Sequence, residues 1–253
     1  TSGALINITP EPDVPSIDYA YISNIHLSNG YIGLKLKHAW YFKVIGCNFT
    51  GASFACLHLS SPGNSDGGDS AITSCNFGNT FCCIYHESSG GLKITNSKFL
   101  GGTYGYWMNA VLPNKTMADL LISNCSIEGF SVAGIAFNRD VSSGPYGVGG
   151  IVISGNQMGT MGPGGSTGSW CIICNDSHNF IVDLNISGNT FLTFTGNNCV
   201  GLDYQNYLYV GANQFQATSP TSTGGLLIGP NVQNCVADGN QYQSFAAGNG
   251  LQC

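Results

Sequence analysis

Charge is what this chain has least of. Only 8% of its 253 residues are charged, seven are basic, and Arg139 is the single arginine. A nucleic-acid surface needs clustered Lys and Arg to displace counterions, so a net charge of −6 with this scatter excludes DNA and RNA as partners. Anionic membranes are excluded on the same ground. No apolar run approaches the ~18 residues that span a bilayer, and no signal-peptide pattern opens the chain. No stretch shows amphipathic helical periodicity. No Pro-rich hinge or charge run divides the sequence, which reads as one elongated domain over 1–253. It begins at Thr1 and ends at Cys253 in mid-pattern, as a section of a longer chain would.

What the sequence has is a repeated six-residue phrase. A β-branched residue and two small or polar ones precede Asn, Cys or Ser, then any residue, then a large apolar one. Copies run Ile22–Leu27, Val44–Phe49, Ile72–Phe77, Ile94–Phe99, Ile122–Ile127, Ile153–Met158, Ile186–Phe191 and Val210–Phe215, with a degraded one at Ala237–Tyr242. The fourth positions fall at 25, 47, 75, 97, 125, 156, 189, 213 and 240, so the spacing is 22 at its smallest and 33 at its largest. A fixed minimum with variable excess describes a closed coil of short strands with insertions confined to loops. A second alternating strand follows each phrase, as in Gly33–Leu36, Cys56–Leu59, Cys83–His86, Gly134–Phe137, Cys171–Cys174 and Gly201–Tyr204.

One coil alone has bare backbone edges and half a core. Stacking coils pairs each strand with its neighbour and files like side chains into columns. Eight steps of ~4.8 Å make a stack roughly 40 Å long. Leucine-rich repeats want a steadier period and propellers one above ~40 residues, so neither fits. The expected fold is all-β: a right-handed parallel β-helix of about nine to ten rungs.

In this coil architecture residues 20–245 resemble the pectate-lyase-like right-handed β-helix superfamily. That superfamily includes polysaccharide lyases, glycoside hydrolases and trimeric phage tailspikes. The resemblance implies fold more than activity. Its calcium-dependent lyases use an Asp-rich site and an Arg base, whereas here the carboxylates are scattered and Arg139 stands alone. No metal or cofactor is expected.

The columns carry their own meanings. Asn156, Asn189, Asn213 and Asn240 form an amide ladder, with Asn expected to supply the left-handed corner. Cys47, Cys75 and Cys125 share that slot. With eleven cysteines in all, an odd number, buried free thiols are expected, hence synthesis in a reducing cytosol. Cys171 and Cys174 have the spacing of half a zinc site, but as strand residues three apart they should face opposite ways. Asn-x-Ser/Thr triplets such as Asn124–Ser126 and Asn185–Ser187 sit in the repeated turns and read as by-products of the repeat.

Taking Leu34, Leu57, Ile84, Ile135, Ile172 and Leu202 as inward places Lys35, His58, Tyr85, Ala136, Ile173 and Asp203 outside, then Lys37, Ser60, Glu87, Asn138, Asn175 and Gln205. Lys35, His58, Tyr85 and Glu87 thus share one face, with Arg139, Asp140 and Asp176 near its corner. Aromatic faces stack on sugar rings, and charged or amide groups address hydroxyls and carboxylates. Hydrolysis needs two carboxylates ~5–9.5 Å apart, for which Glu87 with Asp140 or Asp176 are candidates, or Asp66 with Asp69. β-Elimination needs a base and a cation, for which His58, Tyr85, Lys35 or Arg139 serve. The aromatic segments 103–116, with Tyr104, Tyr106, Trp107 and Lys115, and 160–170, with Trp170, read as loops that wall a groove or meet another subunit.

Three functions follow in order. The first is a homotrimeric phage tailspike or receptor-binding protein of the virion tail that binds, and in one version depolymerises, host-surface polysaccharide. The second is a free-standing polysaccharide lyase or glycoside hydrolase. The third is a structural or adhesive β-helix without catalysis.

Overall fold

The computed structural model describes residues 3–9, 17–60, 69–87, 90–109, 117–138, 146–160, 168–174, 179–194, 196–218, 224–245 and 250–252. Nine of its strands form one parallel sheet, running from Tyr21–Ser23 through Lys43–Ile45, Ser70–Thr73, Leu92–Thr95, Met117–Ser123, Tyr146–Ser154, Asn179–Ser187 and Gln205–Gly211 to Gln233–Asp238. Each carries the opening of one copy of the phrase. The register pairs Ile22 with Val44, Val44 with Ile72, Ile72 with Ile94, and so on to Val210 with Ala237. The phrase is therefore the rung, and the chain is a right-handed parallel β-helix.

The apolar residue closing each phrase points inward. Phe49, Phe77 and Phe99 lie in one file with ring centroids 5.1 Å apart at each step, and Phe191, Phe215 and Tyr242 continue it at 4.9 and 5.0 Å. Rings offset by one rung in near-parallel planes bury their full faces without leaving voids.

The corner is built differently from expectation. The left-handed residue is the one before the ladder position: Asn24, Ser74, Asn96, Asn124 and Ala212 have φ between +52° and +55°, and glycines 46, 155, 188 and 239 fill the slot elsewhere. That turn leaves the following side chain pointing into the coil. Asn156, Asn189 and Asn213 are buried, and each Oδ1 accepts from the backbone N–H of the ladder residue one rung before it, at 2.9 Å for all three. Each Nδ2 in turn donates to a carbonyl of the preceding coil, Ile122, Ile153 and Ile186 respectively, at 2.9 Å. The amide thus satisfies backbone groups that a sharp corner would orphan.

A second corner explains the cysteines. The residue just before each inward position of the following strand is Gly33, Cys56, Cys83, Gly105, Gly134, Cys171, Cys199 or Gly225, in register through successive rungs. A Cβ on Gly33 would lie 2.6 Å from the Cys56 carbonyl oxygen, and one on Gly134 2.8 Å from that of Cys171. The column admits no side chain or a small soft one. Nine of the ten described cysteines are buried, and burial raises the thiols of Cys56, Cys75 and Cys125 to about 11. Cys171 and Cys174 both lie in the core, contrary to the alternation expected of them.

Two further expectations are corrected. Residues 103–109 are no loop: Lys98–Asn109 is one continuous bent strand, and Tyr106 fills the inward slot between Ile84 and Ile135. Ile172 pairs with Val200, not Leu202, so Gly201 stands outside where Asp203 was placed. Asp203 instead holds the corner, accepting from Tyr204 N, Asn231 N and Asn231 Nδ2.

The ladder sets a stability expectation. Asn189→Ala strips acceptors from Asn156 and leaves the Ile153 carbonyl unmatched in the core, at a cost of about 2–4 kcal/mol. Asn240→Ala, at the half-exposed end of the ladder, costs about 1 kcal/mol or less. Urea midpoints of the two variants check this; equal losses would contradict the ladder's role.

Candidate functional site: an aromatic face beside a sheltered His–Glu contact

The strand after the Gly/Cys corner turns its alternate residues outward. Lys35, His58, Tyr85, Trp107, Ala136 and Ile173 stand in register on six successive coils. Lys37 and Ser60 are paired in the next outward column, and Asn109, in backbone register with Asn138, follows two coils further on. The Glu87 N–H donates to the Leu59 carbonyl, which sets Glu87 beside Ser60. Five of the residues singled out from sequence, Lys35, His58, Tyr85, Glu87 and Trp107, therefore share one face. Arg139, Asp140 and Asp176 lie outside the described residues, as do Asp66, Lys115 and Asn175. Asp69 pairs with Lys93 at 3.0 Å on the exposed surface and takes no part. Trp170 begins the strand Trp170–Cys174, in register with Ala133. Gln205 is buried.

The face is more enclosed than a solvated strand surface. His58 is 6% exposed and Tyr85 8%. His58 Nε2 lies 3.0 Å from Glu87 Oε1. Both nitrogens of the ring are shielded from water and neither makes a hydrogen bond of good angle among the described residues, so Nε2 faces Glu87 as a close polar contact. Burial pushes the Glu87 carboxyl up, but the close His58 ring, the Ser60 hydroxyl and the Lys35 charge outweigh it and hold the group below its ordinary value. Glu87 is thus ionised at neutral pH. Asn109 Nδ2 donates to the Tyr85 hydroxyl at 3.0 Å. On the inner side of the same strand, burial drives His86 down to about 3, and its Nδ1 meets the Tyr106 hydroxyl at 2.6 Å. That imidazole is neutral and belongs to the core.

Aromatic rings surround the pair, several of them on positions the sequence did not single out. Phe54 sits at the hub: 5.3 Å from Tyr31, 6.0 Å from Phe81, 5.1 Å from Tyr85 and 6.2 Å from His58, all between centroids. Trp107 meets Tyr85 edge-on at 5.0 Å and stacks on Tyr104 at 4.7 Å. Tyr31 and Phe81 remain exposed, while Phe54, Tyr104 and Trp107 are half-buried. The missed residues had a readable signal: Tyr31, Phe54 and Phe81 each stand two residues before a member of the small-residue column, Gly33, Cys56 and Cys83.

Chemically, the face offers apolar ring edges, two lysines, one ionised carboxylate and amide and hydroxyl groups around a buried histidine. The described residues hold no group of three or more His, Cys, Asp or Glu side chains placed to bind a metal.

No family model matches the sequence, and no curated protein matches it. Solved structures do. PfbA, a surface adhesin of Streptococcus pneumoniae, superposes over 92% of this chain with a TM-score of 0.61 at 12% identity. The tailspike of E. coli bacteriophage HK620, solved in complex with a pentasaccharide, superposes over 88% with a TM-score of 0.56 at 16% identity. At these identities the likeness is one of fold, a parallel β-helix. This chain spans 61% of the adhesin and 41% of the tailspike chain.

The depressed Glu87 carboxyl gives a pH signature. A lowered folded pKa adds stability above the ordinary carboxylate value of 4.5, and that stability is lost as pH falls through the folded value. Wild type should therefore melt above Glu87→Gln at pH 7, with the gap narrowing below about pH 4. A gap independent of pH would show that the Glu87 charge does not stabilise the fold.

Proposed function

We propose that this chain binds a polysaccharide across the outer face formed by Lys35, His58, Tyr85, Glu87 and Trp107, and that it is a section of a phage tailspike or receptor-binding protein. The observation that carries the reading is the join of a half-exposed aromatic surface to an ionised carboxylate in a chain otherwise poor in charge. Pyranose rings present C–H faces to aromatic edges and planes, while their hydroxyls need charged or amide partners of fixed position. Trp107, Tyr104 and Phe81 supply the first, and Glu87, Lys35 and Lys37 the second. The pentasaccharide held by the HK620 tailspike supports the ligand class by likeness of fold. In this reading the protein is a homotrimer in the virion tail, and light scattering finds three copies; a stable monomer contradicts it.

If the chain cleaves what it binds, Glu87 is the base or nucleophile, because a carboxyl held below its ordinary range is a poor proton donor. A general acid then falls to Asp140 or Asp176, and Arg139 adds charge to the sugar. An adhesive function without turnover is the second reading. It is favoured by the 3.0 Å contact itself, which already occupies His58 and Glu87 with each other, and by the likeness to a surface adhesin.

The test is incubation with purified bacterial surface polysaccharides, measuring binding, reducing ends and the absorbance of unsaturated sugars. Trp107→Ala should weaken binding about tenfold, which is ~1.4 kcal/mol. Where turnover is found, Glu87→Gln should lower it by about tenfold or more. Unchanged binding in the first variant sinks this face as the sugar site, and unchanged turnover in the second removes Glu87 from the chemistry.

A further inference from the structure

Beyond Lys37 the chain leaves the aromatic face and turns into a small ribbon of its own, in which Ile17–Asp18 pairs with Ala39–Trp40. Tyr19 and Tyr41 follow the two strands and stack, with centroids 5.4 Å apart and planes 17° from parallel; the Trp40 ring lies 6.5 Å from Tyr41. These rings are not core. Tyr19 is 78% exposed and the neighbouring Tyr21 65%. Tyr19 heads the stack: Tyr41 covers one face, and among the described residues no ring covers the other.

Holding the rings there is unfavourable three times over. Tyr19 and Tyr41 both have left-handed backbones, φ +65° and +50°, and so does His38 at +50°. Residues with a Cβ pay about 1 kcal/mol or more for that conformation. Exposed rings return little burial against this strain. At the base of the patch, Trp40 Nε1 is shielded from water and has no partner among the described residues, a further unmet donor. Yet the ribbon is firmly pinned. Ile17 N donates to the His38 carbonyl at 2.8 Å, Tyr19 N to the Trp40 carbonyl at 3.1 Å and Lys43 N to the Ala20 carbonyl at 2.7 Å. Strain fixed by a backbone network, with an open ring face on top, is a preorganised stacking surface and not a frayed turn.

We propose that Tyr19, Tyr41 and Trp40 form a second carbohydrate subsite, which stacks a pyranose ring on the open face of Tyr19. Asp18, exposed and in register with Trp40, is placed to accept from sugar hydroxyls. Lys37 ends the strand of the first site three residues before Trp40. One sugar chain can therefore cross the aromatic face, pass the lysine and reach the ledge. The sugar identity of the ligand rests on the function proposed above; the ledge itself rests on the stack, the strain and the pinning.

The experiment titrates the full chain, Tyr19→Gly and Trp107→Ala with cellohexaose, chitohexaose and hexagalacturonate, by calorimetry, with light scattering on each protein. Glycine suits the left-handed position, so this variant removes the ring while easing the backbone, and circular dichroism checks that it folds. The expected result is that at least one of the oligosaccharides binds and that Tyr19→Gly weakens it about two- to tenfold, in addition to the effect of Trp107→Ala. Weakening by Tyr19→Gly alone upholds the ledge and overturns the first site. Weakening by Trp107→Ala alone overturns the ledge and leaves the first site standing. Binding by none of the three overturns both. A change of oligomeric state in Tyr19→Gly overturns the ledge as a sugar site, because the rings then serve an interface between copies.

Discussion

One contact repeats up the length of this molecule: the side chain after a left-handed corner reaches inward and bonds the backbone of the coil beside it. In the C-terminal half it is an asparagine amide, whose Oδ1 accepts from one coil's N–H while its Nδ2 donates to a carbonyl. In the N-terminal half a serine or cysteine does a lesser version, as where Ser97 Oγ accepts from Cys75 N at 3.2 Å. The contact ties a local conformational choice to the register between coils. A one-residue slip would push a polar side chain out and leave a backbone donor buried without a partner. Strand sequence alone does not impose that register, since valine, isoleucine and leucine exchange freely along the columns.

Register is also what makes a surface out of distant residues. Lys35, His58, Tyr85 and Trp107 come from four coils and are neighbours only because each coil closes at the same two corners. The small-residue corner acts directly on the site. Where Gly33, Cys56, Cys83 and Gly105 let the backbone turn tightly, Phe54 folds over the outside of the sheet against His58, with Tyr31 and Phe81 stacked on either side of it. Shelter by itself opposes the Glu87 charge, but it also strengthens the interactions with His58, Ser60 and Lys35 that outweigh it and keep Glu87 ionised. Aromatic cover and charge pair are thus two effects of one backbone feature.

The coil repeat was legible because its two requirements, a left-handed residue and an inward polar one, restrict residue type at fixed offsets. The assignment of roles within it was less so. Asn suits a left-handed corner as well as a ladder, and only the coordinates show that Gly155 and Gly188 take the first role while Asn156 and Asn189 take the second. The strand through Tyr104–Asn109 was hidden by its glycines, which read as loop but serve a bend: Gly102 sits at φ +126°, where a Cβ would run into the Thr80 carbonyl. The slip between Val200 and Leu202 came from taking Gly201 for the corner residue when Cys199 holds that place. Of the face itself, alternation set Lys35, His58 and Tyr85 outward in one register, whereas Phe54 lies in a bend and Phe81 lies ahead of Cys83–His86, the part of the strand Asn76–His86 that alternation marks.

The central claim is that register assembles a sugar-binding face from successive coils, and it is tested most directly by a crystal structure of the protein soaked with an oligosaccharide that it binds. The account predicts a sugar ring against Phe81, Tyr104 and Trp107, with a hydroxyl within hydrogen-bonding distance of Glu87. A sugar seated away from these coils, with the Glu87 carboxylate and Trp107 ring untouched, would contradict it.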